Sequence, residues 1–195
     1  MSKPDFVHLH VHSEYSLLDG ANRISDLVKA CVADGQGAIA LTDHGNMFGA
    51  IELYQSAQKS AIKPIVGCEV YIARNSRHEP HNKAKGNGYH HLTLLARNQQ
   101  GYQNLMELAS IAYLEGYHFR PRIDREVLAR HAEGLVCLSG CLAGEVSQGV
   151  ADLLLGEQVV PDPQRRGRIL PRRPGKQLPR LLGIRGGAGE NGGQH

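Results

Sequence analysis

A chain of 195 residues, 41% of them hydrophobic, can bury one core and is too short for two large domains. No stretch approaches the roughly 20 consecutive apolar residues of a membrane span. Met1-Ser2-Lys3-Pro4-Asp5 leads into a predicted strand without the apolar segment of a signal peptide, so a cytoplasmic chain with no membrane partner is expected. The net charge of +3 is unevenly spread: residues 161–195 hold eight of the 22 basic and two of the 19 acidic side chains, leaving 14 and 17 for residues 1–160. That mildly acidic part does not advertise a nucleic-acid surface. The four cysteines, Cys31, Cys68, Cys137 and Cys141, lie in apolar segments and are expected as reduced thiols rather than a disulfide framework.

Phe6-Val7-His8-Leu9-His10-Val11 alternates with period two and predicts a first strand. Ile24, Leu27, Val28 and Cys31 then fall at the spacing of an amphipathic helix, which Gly35 ends. Ala38 to Thr42 is a continuous apolar run of the kind buried on both faces of a parallel sheet. A second helix is predicted from Phe48 to Ile62, closed by Pro64. Ile65 to Ile72 and His91 to Leu95 read as further strands, separated by a polar loop over 74–89; His78, His81 and His90 are expected to be solvated. Gln99 to Glu115 carries a clear helical stripe, and Leu135 to Leu138 reads as a fifth strand that turns at Ser139-Gly140 into Cys141. Strands alternating with helices predict an α/β fold with parallel strands, and ligand-type residues at strand ends predict a barrel mouth.

Those strand ends carry the chemistry. Residues i and i+2 share one face of a strand, so His8 and His10 can present two imidazoles to one ion or to an adjacent pair. His12 continues that face where the strand should be ending, and is expected to support the ligands or face solvent. His44 follows a buried strand, and neighbouring Asp43 can ligate or orient a histidine from behind. Glu69 ends an apolar run, where a lone carboxylate is costly unless paired or bound to cations. Asp19, His91 and Cys141 complete a set of imidazole, carboxylate and thiolate donors suited to Zn, Mn or Fe rather than to Mg or Ca alone. Taken singly, each has a duller reading as a turn residue, a hydrogen-bonded histidine or a packed thiol. Recurrence at the ends of successive strands weighs against that.

From about residue 157 the composition changes. Residues 161–195 contain five Pro and eight Gly, keep no helical or strand period, and are expected to be a disordered basic tail. A shifted reading frame fits this segment better than a natural basic tail. The coding DNA decides between them.

Five stretches together closely resemble one family: FVHLHVHSEYSLLDG from Phe6 to Gly20, LTDHG from Leu41, KPIVGCE from Lys63, HLTLLARNQQGY from His91 and GLVCLSGCL from Gly134. They are similar to the polymerase and histidinol phosphatase (PHP) domain, in the form found at the N-terminus of bacterial replicative DNA polymerase III alpha subunits. The resemblance implies a PHP domain over residues 1–156: a distorted (β/α)7 barrel, present in part, whose mouth binds up to three Zn, Mn or Fe ions. It implies ligand roles for His8, His10, Asp19, His44, Glu69, His91 and Cys141. A final Asp-x-His ligand pair and the polymerase carboxylates have no counterpart, so the resemblance implies an amino-terminal fragment with weak hydrolysis or none. DNA and other replicase subunits are the implied partners. Two rivals are a free-standing phosphoesterase of the histidinol-phosphatase type and a non-catalytic interaction module of the replicase.

Overall fold

The computed structural model describes residues 6–17, 19–80, 88–140 and 143–155. The segment expected as a tail, 157–195, lies outside the described residues, as do Cys141 and His81. In chain order the elements are α1 (Ile24–Asp34), β1 (Ala38–Leu41), α2 (Ala50–Lys59), β2 (Lys63–Ala73), β3 (Tyr89–Ala96), α3 (Gln99–Leu114), β4 (Arg122–Ile123), α4 (Arg125–Arg130), β5 (Leu135–Leu138) and α5 (Glu145–Leu155).

Local signals account for most of these boundaries. Gly35 stops α1 in the left-handed region at φ 72°, its N–H returning to the Val32 carbonyl. Asn98 caps α3 by accepting from Gly101 N at 2.9 Å, and Asp124 caps α4 by accepting from Val127 N. The second helix is shorter than expected. It ends at Lys59, and Pro64 lies inside β2, opposite Ile39.

The sheet runs β1-β2-β3-β5, and β4 pairs with the far end of β2. The α/β class holds, but the strands are not all parallel. β1 and β4 lie parallel to β2, whereas β3 is antiparallel to both β2 and β5. The reason is the connection: no helix lies between β2 and β3 among the described residues, and a parallel return needs a crossover, usually helical. The predicted first strand is reduced to a single bridge, His8 to Ile39. Ala40 N donates to the His8 carbonyl and Thr42 N to the Val11 carbonyl, so the first segment advances three residues while β1 advances two and the regular ladder ends. The Thr42 hydroxyl also accepts from Val11 N at 2.9 Å and donates to the Val11 carbonyl.

Two apolar clusters hold the sheet to its helices. Cys68, Val70, Ile72 and Leu94 on one face of β2 and β3 pack against Leu105, Leu108 and Ala112 of α3 and Val127 of α4. Ile39 and Leu41 of β1 pack against Ile24, Val28 and Cys31 of α1 and Leu53 and Ala57 of α2. Each buried Val, Leu or Ile among them contributes about 1.5–3 kcal/mol. Because successive strand residues alternate in face, packing Cys68 and Val70 on α3 turns Glu69 and Tyr71 the other way, beside Thr93 and His91 of β3. That second face carries the polar cluster described next.

Candidate metal centre

Glu69 is the organising residue. It is 1% exposed, and each of its oxygens meets a different pair of imidazoles. Oε2 lies 2.5 Å from His10 Nε2 and 3.0 Å from His12 Nε2; Oε1 contacts His91 Nδ1 and stands 3.4 Å from His44 Nδ1. Burial alone would raise the Glu69 carboxyl, but hydrogen bonds with His10, His12 and His91 outweigh it and hold the group far below the usual carboxylate range. Its hydrogen bond with Glu69 raises His12 above the ordinary imidazole value, against the opposing pull of burial.

Asp19 closes the cluster on its exposed side. Its Oδ2 lies 2.8 Å from His44 Nε2 and 3.2 Å from His12 Nδ1. Burial pushes this carboxyl up, but the bond with His44 leads the contacts that bring it below the carboxylate range. His10, His12, Asp19, His44, Glu69 and His91 thus form three overlapping triads, His10/His12/Glu69, His12/Asp19/His44 and His44/Glu69/His91. Within each, the candidate donor atoms lie within 4.8 Å of one another. His10 Nε2 and His12 Nε2 face each other at 3.1 Å, a pairing in which at most one nitrogen acts as donor. His44 Nδ1 is buried without a hydrogen-bond partner among the described residues. Converging lone pairs and an orphaned buried nitrogen fit a cation-binding site.

The supporting structure starts at Asp43, 1% exposed. Its carboxylate accepts from Ser13 N at 2.6 Å, Ser13 Oγ at 2.7 Å and Ser16 Oγ at 2.8 Å, while Ser16 Oγ also accepts from His44 N. Asp43 therefore anchors the turn between His12 and Asp19, and its carboxylate bonds to no imidazole among the described residues. Gly20 ends that turn, where a Cβ would stand 1.7 Å from the Ser13 carbonyl oxygen. Gly45, at φ 64°, directs His44 inward and donates its N–H to the Glu69 carbonyl. Around the cluster, the Tyr71 ring lies parallel to His44 and edge-on to His91.

Three expectations need correction. His8 is exposed, edge-on to Phe6, and belongs to none of the triads. His12 stands in two of them, so the pair brought together is His10 with His12. Parity places all three on one face, but His8 sits about 6.6 Å farther from the strand end than His10, and parity alone cannot choose the pair. Likewise Asp43 acts through serines and backbone rather than on a histidine. His90 is buried rather than solvated, because β3 already begins at Tyr89. Cys141 lies outside the described residues. Cys68 is buried, and burial pushes its thiol up to about 12, as expected of an inert core group.

Fold and cluster together define an α/β protein with a candidate cation-binding cluster of imidazoles and carboxylates. The chain belongs to the PHP domain family, whose model matches residues 8–165. It is 53% identical over 146 residues to DNA polymerase III subunit alpha of Treponema pallidum (strain Nichols), covering 75% of this chain and 12% of that protein. Against the Thermus aquaticus subunit alpha it is 52% identical over 150 residues, again with 75% and 12% covered. The chain thus spans about an eighth of the length of these relatives. A solved two-domain protein from Bacteroides vulgatus, described as containing a predicted PHP-like metal-dependent phosphoesterase, overlaps 53% of this chain and 31% of its own at 20% identity and TM-score 0.35. That overlap carries no functional argument. No helix among the described residues is long and apolar enough to cross a membrane.

Proposed function

We propose that this chain is the PHP module of a replicative DNA polymerase III alpha subunit, and that its cluster holds divalent transition metals for the hydrolysis of phosphodiester bonds in DNA. The observation that carries the reading is Glu69, whose two carboxylate oxygens each face two imidazoles, His10 and His12 on one side and His44 and His91 on the other. A buried anion so placed is suited to sit between two cations.

In this reading His10, His12 and Glu69 would hold one ion, and His44, Glu69 and His91 a second. Asp19, exposed on one side and bonded to His12 and His44, would supply a further oxygen donor. The mixture of imidazole nitrogen and carboxylate oxygen suits Zn, Mn or Fe. Bound ions would neutralise phosphate charge and acidify a coordinated water toward neutrality. The protein's own part is positional. Asp43, through Ser13 and Ser16, fixes the turn carrying His12 and Asp19, and the Gly45 N–H bond to the Glu69 carbonyl sets His44 beside Glu69. DNA and other replicase subunits in the cytoplasm are the partners that the polymerase relatives suggest.

The test is elemental analysis of the purified chain after dialysis against Zn or Mn, followed by an assay on single-stranded DNA. Retained metal with slow, metal-dependent nucleotide release is expected. A protein that retains no transition metal overturns the reading, and turnover confined to small phosphomonoesters replaces it with a free-standing phosphoesterase.

A further inference from the structure

We infer that the loop Tyr117-His118-Phe119-Arg120 is a grip for single-stranded nucleic acid beside the metal cluster, Arg120 taking a backbone phosphate and Phe119 stacking on a base. The inference rests on the proposed function and adds to it the residues that hold the strand.

Three observations bring the loop to the site. The Arg120 guanidinium carbon lies 5.7 Å from the centroid of the Tyr71 ring, the same ring that stacks on His44 and meets His91 edge-on. Pro121, the next residue, packs so closely on Gly45 that a Cβ there would stand 2.7 Å from Pro121 Cγ. Gly45 follows His44 directly. The loop is also clamped at its base, since Arg122 donates to the Gly116 carbonyl through both its backbone N–H and its Nε.

The loop's chemistry is that of a ligand surface rather than of a core. Phe119 is 75% exposed, and its backbone holds the left-handed region at φ 64°, a conformation a bulky L-residue adopts only where its surroundings impose it. Its ring is held edge-on by His118. An exposed aromatic ring displayed in this way offers a π-face to an unstacked base. Beside it, Arg120 has no carboxylate within 4 Å among the described residues, unlike the nearby Arg77, which is bound by Glu115 and Asp124. A guanidinium with no carboxylate partner among the described residues, resting on an aromatic ring next to a site for phosphate chemistry, is placed to take a phosphate. Duplex DNA offers Phe119 no free base face within its stack, so the occupant is a single strand.

The experiment uses the full chain and a short fluorescent phosphorothioate thymidylate strand, with affinity read by anisotropy and a blunt duplex as the comparison. Phe119→Gly removes the ring and relieves the left-handed backbone. It should keep or raise the melting temperature while weakening single-strand binding about tenfold, and Phe119→Trp should restore binding. Arg120→Gln should also weaken binding about tenfold and flatten its salt dependence by about one phosphate contact, with Arg120→Lys recovering part of the loss. Unchanged affinity in both variants overturns the inference, as does an equal loss on the blunt duplex. Metal content is measured on the same samples. An empty parent protein counts against the metal reading, while unaltered affinity in the variants counts against the grip whether or not metal is bound.

Discussion

At the residue scale the site turns on which of three alternating histidines reach the cluster. If His10 and His12 are the working pair, His10→Gln and His12→Gln should each lower transition-metal affinity at least tenfold, while His8→Gln should leave it unchanged. Metal titration followed by isothermal calorimetry would measure this, and a loss with His8→Gln alone would restore the pairing that parity first suggests. Asp43 makes a different prediction. Asp43→Ala leaves the buried Ser13 and Ser16 hydroxyls and the Ser13 N–H without their acceptor, which should cost about 3 kcal/mol in urea unfolding and loosen the turn carrying Asp19. Most of the cluster is legible from the residues alone: His10, Asp19, His44, Glu69 and His91 each stand out as a ligand-type side chain at the edge of an apolar run or a turn. The pair choice is not legible, because period two sets the face but not the height along the strand. Asp43 was recognisable as a supporting group, yet its partners, two serines thirty and twenty-seven positions earlier, emerge only when the turn folds back on β1.

At the scale of elements, the joint between the β2 end and α4 supplies a pH-dependent stability. Arg77 donates to Asp124 through its backbone N–H and its guanidinium, and Asp124 also caps α4. Burial would push the Asp124 carboxyl up, but these bonds, led by the Arg77 and Val127 backbone N–H groups, bring it below the usual range. On unfolding the carboxyl returns to its ordinary value near pH 4, so the folded state binds the proton less readily than the unfolded state. The contribution is therefore full above about pH 5 and is lost as the pH falls through the folded value. Asp124→Asn should cost about 3 kcal/mol at pH 7 and flatten the fall in melting temperature between pH 5 and pH 3. A variant with the parent's acid profile would remove this pair from the account. The helices α1, α2 and α3 were readable because their stripes are local, Ile24, Val28 and Cys31 for α1 and Leu105 and Leu108 for α3, whereas α4 and α5 were not expected. The antiparallel sense of β3 was harder to see, although the polar, stripe-free stretch after Ala73 was its signal. The two-residue β4 is too short for any period, and it exists through pairing with Tyr71 and Ile72.

For the molecule as a whole, the cluster ties together parts of the chain that the apolar cores hold separately. His10, His12 and Asp19 come from the N-terminal stretch beside β1, His44 from the turn after β1, and Glu69 and His91 from β2 and β3, whose opposite face packs on α3. Cations bound there would cross-link the two cores through these polar side chains. By mass action, a cation at a thousandfold excess over its dissociation constant adds about 4 kcal/mol to the folded state. For a chain of this size that corresponds to a rise in melting temperature of roughly 10 °C. Scanning calorimetry with Zn or Mn, and again after chelation, should show that rise and its reversal. Glu69→Gln should abolish the shift, because the amide keeps the shape of the carboxylate but lacks the charge shared by both triads on either side. His8→Gln should keep the shift in full, because its exposed ring stands outside the triads. A shift of equal size in both variants would mean that the cation stabilises the protein at some other place.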